Sequence, residues 1–233
     1  MRIGTSGFSY REWLGSFYPT RLPGNEMLSF YAERMPTVEV NYSFRAMPKP
    51  AMLQRWAART PEYFRFALKA PERITHRARL AAECADTLDH FVEVTQTLGH
   101  RLGPILFQLP PDFRCDLNRL EHFLGLLNGR VPAAFEFRHR SWLTAATFAS
   151  LKTAGAALCI AESEKIETPI EKTADFAYLR LRKPTYDPDT LLQWAARIIE
   201  LASDGSEVYV YFKHEIAAPE LAAKLAGLVA NSK

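Results

Sequence analysis

Two glutamates stand at matching points of two short apolar runs, Glu39 in TVEVN (37–41) and Glu136 in AAFEFR (133–138). In an extended chain, side chains alternate between faces. Val38 and Val40 then share one face of the first run, opposite Glu39 and Asn41. Phe135 and Phe137 share a face of the second, opposite Glu136 and Arg138. Carboxylates on facing strands work as an acid and base pair when roughly 5–9 Å apart. A nearby cation holds one ionised, and a drier setting raises the pKa of the other. Glu39 and Glu136 are therefore the candidate catalytic residues.

Other apolar runs end in polar groups of the same parity. FAYLRLR (176–182) leaves Tyr178, Arg180 and Arg182 opposite its apolar side, and EVYVYFK (207–213) leaves Tyr209, Tyr211 and Lys213. FRFALK (64–69) ends on Lys69, ILFQL offers Gln108, and His139 follows AAFEFR. The candidate substrate-binding set is Asn41, Lys69, Gln108, Arg138, His139, Tyr178, Arg180 and Tyr211. Its cations suit a phosphate or carboxylate. Its tyrosines, and the aromatic loop FSYREWLGSFY (8–18), suit a sugar or base, although the loop fits packing across a barrel mouth better still. The expected ligand is small and anionic or sugar-like. The same groups also fit a buried ion pair that merely fills a barrel, Arg138 with Glu136 or Glu39 above all.

Positioning these side chains requires the elements that carry them. Eight short β-rich runs recur: 2–6, 37–41, 64–69, 104–109, 133–138, 156–162, 176–181 and 207–213. Between them lie runs of helical period at 26–35, 51–58, 84–99, 116–127, 141–155, 189–205 and 219–230, with Gly99 expected to cap the third. The charged, proline-bearing segment 162–175 lacks that period. Alternating strands and helices imply parallel strands with helical crossovers. The expected fold is α/β, a single (β/α)8 TIM-like barrel of eight parallel strands over 1–233, with the sixth crossover helix short or missing. Polar groups from six strands then converge at the C-terminal end of the barrel. An open doubly wound sheet competes, but no G-x-G-x-x-G turn supports a dinucleotide fold, and GTSG (4–7) is too short to be one.

Composition narrows the function classes. The chain is 48% apolar, enough for a sizeable core, and its net charge of +3 favours an anionic partner without demanding nucleic acid. Cys84, Cys115 and Cys159 are odd in number and far apart, which fits reduced thiols in the cytoplasm. The opening MRIGTSG has no signal-peptide pattern, and no run nears the roughly 18 apolar residues of a membrane span. No P-loop, nucleophile elbow or HExxH occurs, and no cofactor is expected.

At greater length the sequence resembles a known family. GTSGFSYREWLGSFYP (4–19), VEVNYSFRAMP (38–48), FRFALKAPERITH (64–76), LGPILFQLPPDF (102–113), EFRHRSWL (136–143) and AYLRL (177–181) are similar to the signature blocks of the YecE-like family, domain of unknown function 72. The resemblance runs from first strand to last and implies a TIM-like barrel but no established activity. It carries over Glu39, Asn41, Phe44, Lys69, Gln108, Glu136, Arg138, His139, Tyr178 and Arg180. The chain departs from the family pattern at Arg45, at Arg182-Lys183 and at Lys213-His214-Glu215, each adding basic or titratable groups to the rim.

Three functions fit these residues. The first is a metal-free acid/base enzyme on a small phosphorylated, carboxylated or sugar-like substrate. The second is a metal-dependent phosphodiester hydrolase resembling barrel endonucleases, with His76, His139, His214, Glu162 and Glu215 as ligands. Inward cations oppose it, and no metal is expected. The third is a barrel that binds a ligand or nucleic acid without catalysis, with Arg45, Arg182, Lys183 and Lys213 at its rim. The low net charge weighs against nucleic acid. The sequence does not fix the oligomeric state.

Overall fold

The structure is a computed structural model that describes residues 1–162, 166–214 and 216–231. The eight strands are β1 (Arg2–Ser6), β2 (Thr37–Val40), β3 (Arg65–Lys69), β4 (Leu102–Gln108), β5 (Ala133–Glu136), β6 (Ala157–Glu162), β7 (Phe176–Leu181) and β8 (Glu207–Phe212). They pair in parallel in chain order, and β8 returns to β1, closing the barrel. This is the (β/α)8 architecture expected from the alternation of patterns.

The helices are α1 (Met27–Ala32), α2 (Tyr42–Arg45), α3 (Pro50–Ala58), α4 (Ala85–Thr95), α5 (Leu117–Leu127), α6 (Ala145–Thr153), α7 (Pro188–Leu201) and α8 (Ala218–Asn231). Side-chain oxygens start several of them: Asp116 accepts from Arg119 N at 3.1 Å, and Asp187 accepts from Thr190 N at 2.7 Å ahead of Pro188. The pattern at 84–99 splits, because α4 runs into a 3-10 turn (Gln96–Arg101) in which Gly99 takes φ 54° and turns the chain toward β4. No helix spans the described part of 162–175. Thr173 ties that segment down instead, its Oγ1 accepting from Leu158 N and donating to Ala156 O, each at 2.7 Å.

Strand alternation creates two cores. Outward side chains such as Val38, Phe107, Phe135 and Leu179 pack against the helices. Phe107 and Phe135 stack at 5.2 Å, with Phe123 of α5 against both. Burying each such ring contributes roughly 1.5–3 kcal/mol. A smaller inner core holds Ala67, Leu106, Ala134, Cys159, Tyr178 and Tyr211. β2 and β5 end earlier than their apolar runs suggest. Asn41 is already in helical geometry at the head of α2, and His139 caps a 3-10 turn at Arg140–Trp142, so Arg138 lies past its strand. Among the described residues no helix is long and apolar enough to cross a membrane.

Candidate functional site

Inside the barrel, side chains stack in layers, as small parallel barrels require. Phe176 meets Tyr209 edge to face at 6.1 Å, and Tyr178 meets Tyr211 at 5.1 Å one step nearer the C-terminal end. Tyr211 is fully buried, its hydroxyl 2.8 Å from Thr37 Oγ1. Ala161, a small neighbour on β6, lies level with Arg180 of β7 in the strand register.

The next layer is charged. Arg180 Nη2 donates to Glu39 Oε1 at 2.9 Å, and Arg180 Nη1 donates to Glu136 Oε2. Arg180 Nε lies 2.9 Å from Glu39 Oε2 without a hydrogen bond along that line. Tyr178 Oη completes Glu39 with a 2.8 Å hydrogen bond to Oε2, and Ser6 Oγ donates to Oε1. Asn41 Nδ2 in turn donates to Ser6 Oγ at 2.9 Å. Glu136 accepts from Gln108 Nε2 at 2.8 Å and from Arg138 Nε at 3.0 Å, with Arg182 Nη1 at 3.4 Å.

Both carboxylates are sealed, Glu39 at 0% and Glu136 at 1% exposure. Burial alone pushes each pKa up. For Glu39 the charge of Arg180 and the hydrogen bonds from Ser6, Arg180 and Tyr178 overcome it, and the pKa falls. For Glu136 burial is overcome by Arg180, Arg138 and Arg182, with Gln108 adding to them, and the pKa falls far below the usual carboxylate range. Both groups are thus held ionised. An acid and base pair needs pKa values pushed apart, and these are pushed the same way.

Above this layer opens a cavity of about 390 Å³, lined by Phe44, Arg45, Lys69, Glu72, His76, Gln108, Arg138, Arg182 and Lys213. Burial and then Arg180 lower the Lys69 pKa to about 8, against the opposing pull of Glu39 and Glu136. His76, carried by a π-helical turn at Arg73–Arg77, is shifted down by burial, Lys69 and Arg138. Lys213 is lowered by burial and by Arg182 and Arg180. A larger groove of about 1120 Å³ lies at the opposite, N-terminal end. Two of its charged side chains are paired, Lys172 with Asp204 and Ser206, and Glu207 with Arg2 and Tyr209. Its lining mixes Lys152 and Lys172 with Asp175, Asp204 and Glu207, so it lacks the excess of cations that marks the mouth.

The candidate residues from the sequence therefore divide. Glu39, Glu136, Tyr178, Arg180, Gln108 and Asn41 belong to one polar network, and Lys69 and Arg138 line the cavity with Gln108. Tyr211 sits one layer beneath, and His139 turns to Ser141, accepting from its backbone N at 3.1 Å. In the aromatic loop, Trp13 and Tyr18 are buried among Phe17, Phe30 and Tyr31, which is packing. Ser6 and Glu72 were missed. Ser6 is at the inward parity of β1, level with Glu39 in the strand register, and that parity was the available signal.

The possible metal ligands do not gather. Glu162 faces outward, bound by Trp194 Nε1 at 3.1 Å and Lys183 Nζ at 2.6 Å, and His214 turns to Pro184 O. Glu215 lies outside the described residues. Among the described residues, no three His, Cys, Asp or Glu side chains form a group able to hold a metal ion.

A closed parallel barrel with a polar layer below a basic mouth defines a TIM-like protein. The chain belongs to the family described as protein of unknown function DUF72, whose model matches residues 2–233. It is 36% identical over 138 residues to the UPF0759 protein YecE of Escherichia coli K12, covering 59% of this chain and 48% of that protein. It is 31% identical over 149 residues to the UPF0759 protein YunF of Bacillus subtilis, covering 61% and 52%. The chain thus spans about half the length of these curated relatives. A DUF72 family protein of Thermotoga maritima superposes with TM-score 0.82 at 23% identity, covering 98% of both chains. One of Enterococcus faecalis gives TM-score 0.82 at 19% identity, covering 98% of this chain and 95% of that one. At those identities the likeness is one of fold.

Proposed function

We propose that the mouth cavity binds a small phosphorylated or carboxylated molecule and acts on it by acid/base chemistry, with Lys69 as the titrating group. The observation that carries this reading is the convergence of Arg45, Lys69, Arg138, Arg182 and Lys213 on one cavity where, among the described residues, a single carboxylate, Glu72, joins the lining. Desolvated cations in a concave site favour an anion strongly. Glu39 and Glu136 act from below: they hold Arg180 and fix the floor, while Lys69 can exchange its proton near neutral pH. A sugar-like substrate fits if it carries the anion.

The test is calorimetry and thermal shift with inorganic phosphate, pyrophosphate, citrate and neutral glucose at constant ionic strength. The anions should raise the melting temperature and glucose should not. The double variant Arg182→Ala, Lys213→Ala should lose at least roughly tenfold in anion affinity, the loss expected for removing charge-assisted contacts. Equal behaviour of anions and glucose would remove the reading.

A further inference from the structure

Among the described residues, Lys69 is the one buried lysine, at 9% exposure. Its ammonium forms no hydrogen bond or ion pair with another described residue, and its close contact is the face of Phe44, 3.8 Å from the ring centroid. A buried ammonium without a carboxylate partner is costly, and cations surround this one. Arg180 of β7 lies below it with Glu39 and Glu136, which are already committed to that arginine. Arg138, Arg182 and Lys213 lie around the cavity, Arg45 and Glu72 edge it, and His76 packs against the other side of the site, 5.0 Å from Phe44 between ring centroids.

We propose that Lys69 is an imine-forming nucleophile, and that the ligand of the mouth cavity is an aldehyde, ketone or 2-oxo acid carrying a phosphate or carboxylate. The inference deepens the anion-site reading and rests on it. Arg138, Arg182 and Lys213 anchor the anionic end, which places the carbonyl at Nζ. The neutral amine adds its lone pair to the carbonyl carbon, and the oxygen takes up a proton from solvent, which accounts for the positive charge of the final protonated imine, to give a carbinolamine. His76, neutral when the site is empty, accepts the proton lost from nitrogen and returns it to the departing oxygen. The C–O bond breaks, water leaves, and a C=N bond joins Lys69 to the ligand. No oxidant or reductant is consumed. The depressed pKa supplies free amine: about half of Lys69 is neutral near pH 8, against well under one part in a hundred of an ordinary lysine.

The experiment treats the whole chain with glycolaldehyde phosphate, pyruvate or uncharged glycolaldehyde, each with sodium cyanoborohydride to trap imines, and maps adducts by peptide mass spectrometry. Phosphate binding is measured in parallel by calorimetry. A charged carbonyl should modify Lys69 roughly tenfold or more faster than the exposed Lys49, Lys152 and Lys224, in line with its larger free-amine fraction. Inorganic phosphate should slow that reaction, glycolaldehyde should show much less preference, and the rate should rise to half its maximum near pH 8. Faster trapping at Lys69 than at the exposed lysines with either charged carbonyl supports the proposal, and Lys69→Arg should abolish that adduct. If phosphate binds but Lys69 reacts no faster than the exposed lysines, the imine proposal falls and the anion site stands. If neither binding nor selective trapping is seen, both fall.

Discussion

Arg180 Nη2 donates to Glu39 Oε1 at 2.9 Å in a pair closed to water, with side-chain exposures of 1% and 0%. The same guanidinium also holds Glu136, so one cation spans two carboxylates arriving from β2 and β5. Such a bridge is retained only if its remaining polar atoms are met, and Ser6, Tyr178 and Gln108 largely do so.

Removing the bridge should be costly in a pH-dependent way. Arg180→Met leaves two buried carboxylates short of their shared cation, a loss of about 3–5 kcal/mol at pH 7. Without Arg180 the largest force opposing burial is gone, and the folded-state pKa of both groups should rise. The rise should be larger for Glu39, which keeps no ion-pair partner among the described residues, than for Glu136, which keeps Arg138 and Arg182. Stability held by their neutral forms is present at low pH and lost as pH rises through the raised values. Urea unfolding at pH 5 and pH 7 should therefore show a smaller deficit at pH 5. An equal deficit at both would mean that the carboxylates do not carry the cost.

In the intact protein the sign is opposite. Glu39 and Glu136 both have folded-state pKa values below normal. Their contribution is present above the unfolded-state value of about 4.3 and is lost as pH falls below it. Acid unfolding should be steep below about pH 4. Glu136→Gln deprives Arg138 and Arg182 of their partner and weakens the hold on Arg180. It should cost about 3 kcal/mol at pH 7 and less at pH 3, where the unfolded-state glutamate is already protonated while the native one still holds its charge. Chemical melts across that range decide it, and a flat difference would count against the network.

What the sequence disclosed and what it hid follow from the range of each interaction. Period-two alternation is local, so Val38 against Glu39 and Phe135 against Glu136 revealed the inward side and the barrel with it. The strand ends also showed which side chains share one end. Reach was hidden. Nothing local says that Arg180 extends to both glutamates, which turns a presumed acid and base pair into a fixed ionic floor. Nor does parity predict the turn after β5 that sends His139 to Ser141. Arg182 and Lys213 were legible at the inward parity of their strands, whereas His76 was visible only as a metal candidate, because its place beside Phe44 depends on the π-helical turn after β3.

GTSG at the start of the chain has a structural use that its composition concealed. A Cβ on Gly4 would sit 2.1 Å from the backbone oxygen of Thr37 on the adjoining strand. Gly4→Ala must push β1 away from β2 and should cost roughly 3 kcal/mol, the upper part of the overpacking range. Gly24→Ala, with nothing within 4 Å, should stay within about 0.5 kcal/mol of the parent. Comparable melting temperatures for the two variants would contradict the close approach.

Lys69 should trade stability against binding. Its folded-state pKa of about 8 lies below the unfolded-state value of about 10.4, so between these values the unfolded chain binds more protons and stability rises with pH. Below pH 8 the cost of the buried ammonium is present in full. Lys69→Met keeps the length and the contact with Phe44 while removing the charge. It should stabilise the protein by about 2 kcal/mol at pH 7, with the gain fading toward pH 10.5. The same variant should lose phosphate binding, since one anchoring cation is gone. Phosphate bound in the proposed site should raise the Lys69 pKa, so binding at pH 8.5 should take up protons. Calorimetry in buffers of different ionisation enthalpy reads that uptake directly. A Met variant less stable than the parent at pH 7 would show that Lys69 is held by interactions that outweigh its burial, and the assignment of Lys69 as the working group would fail.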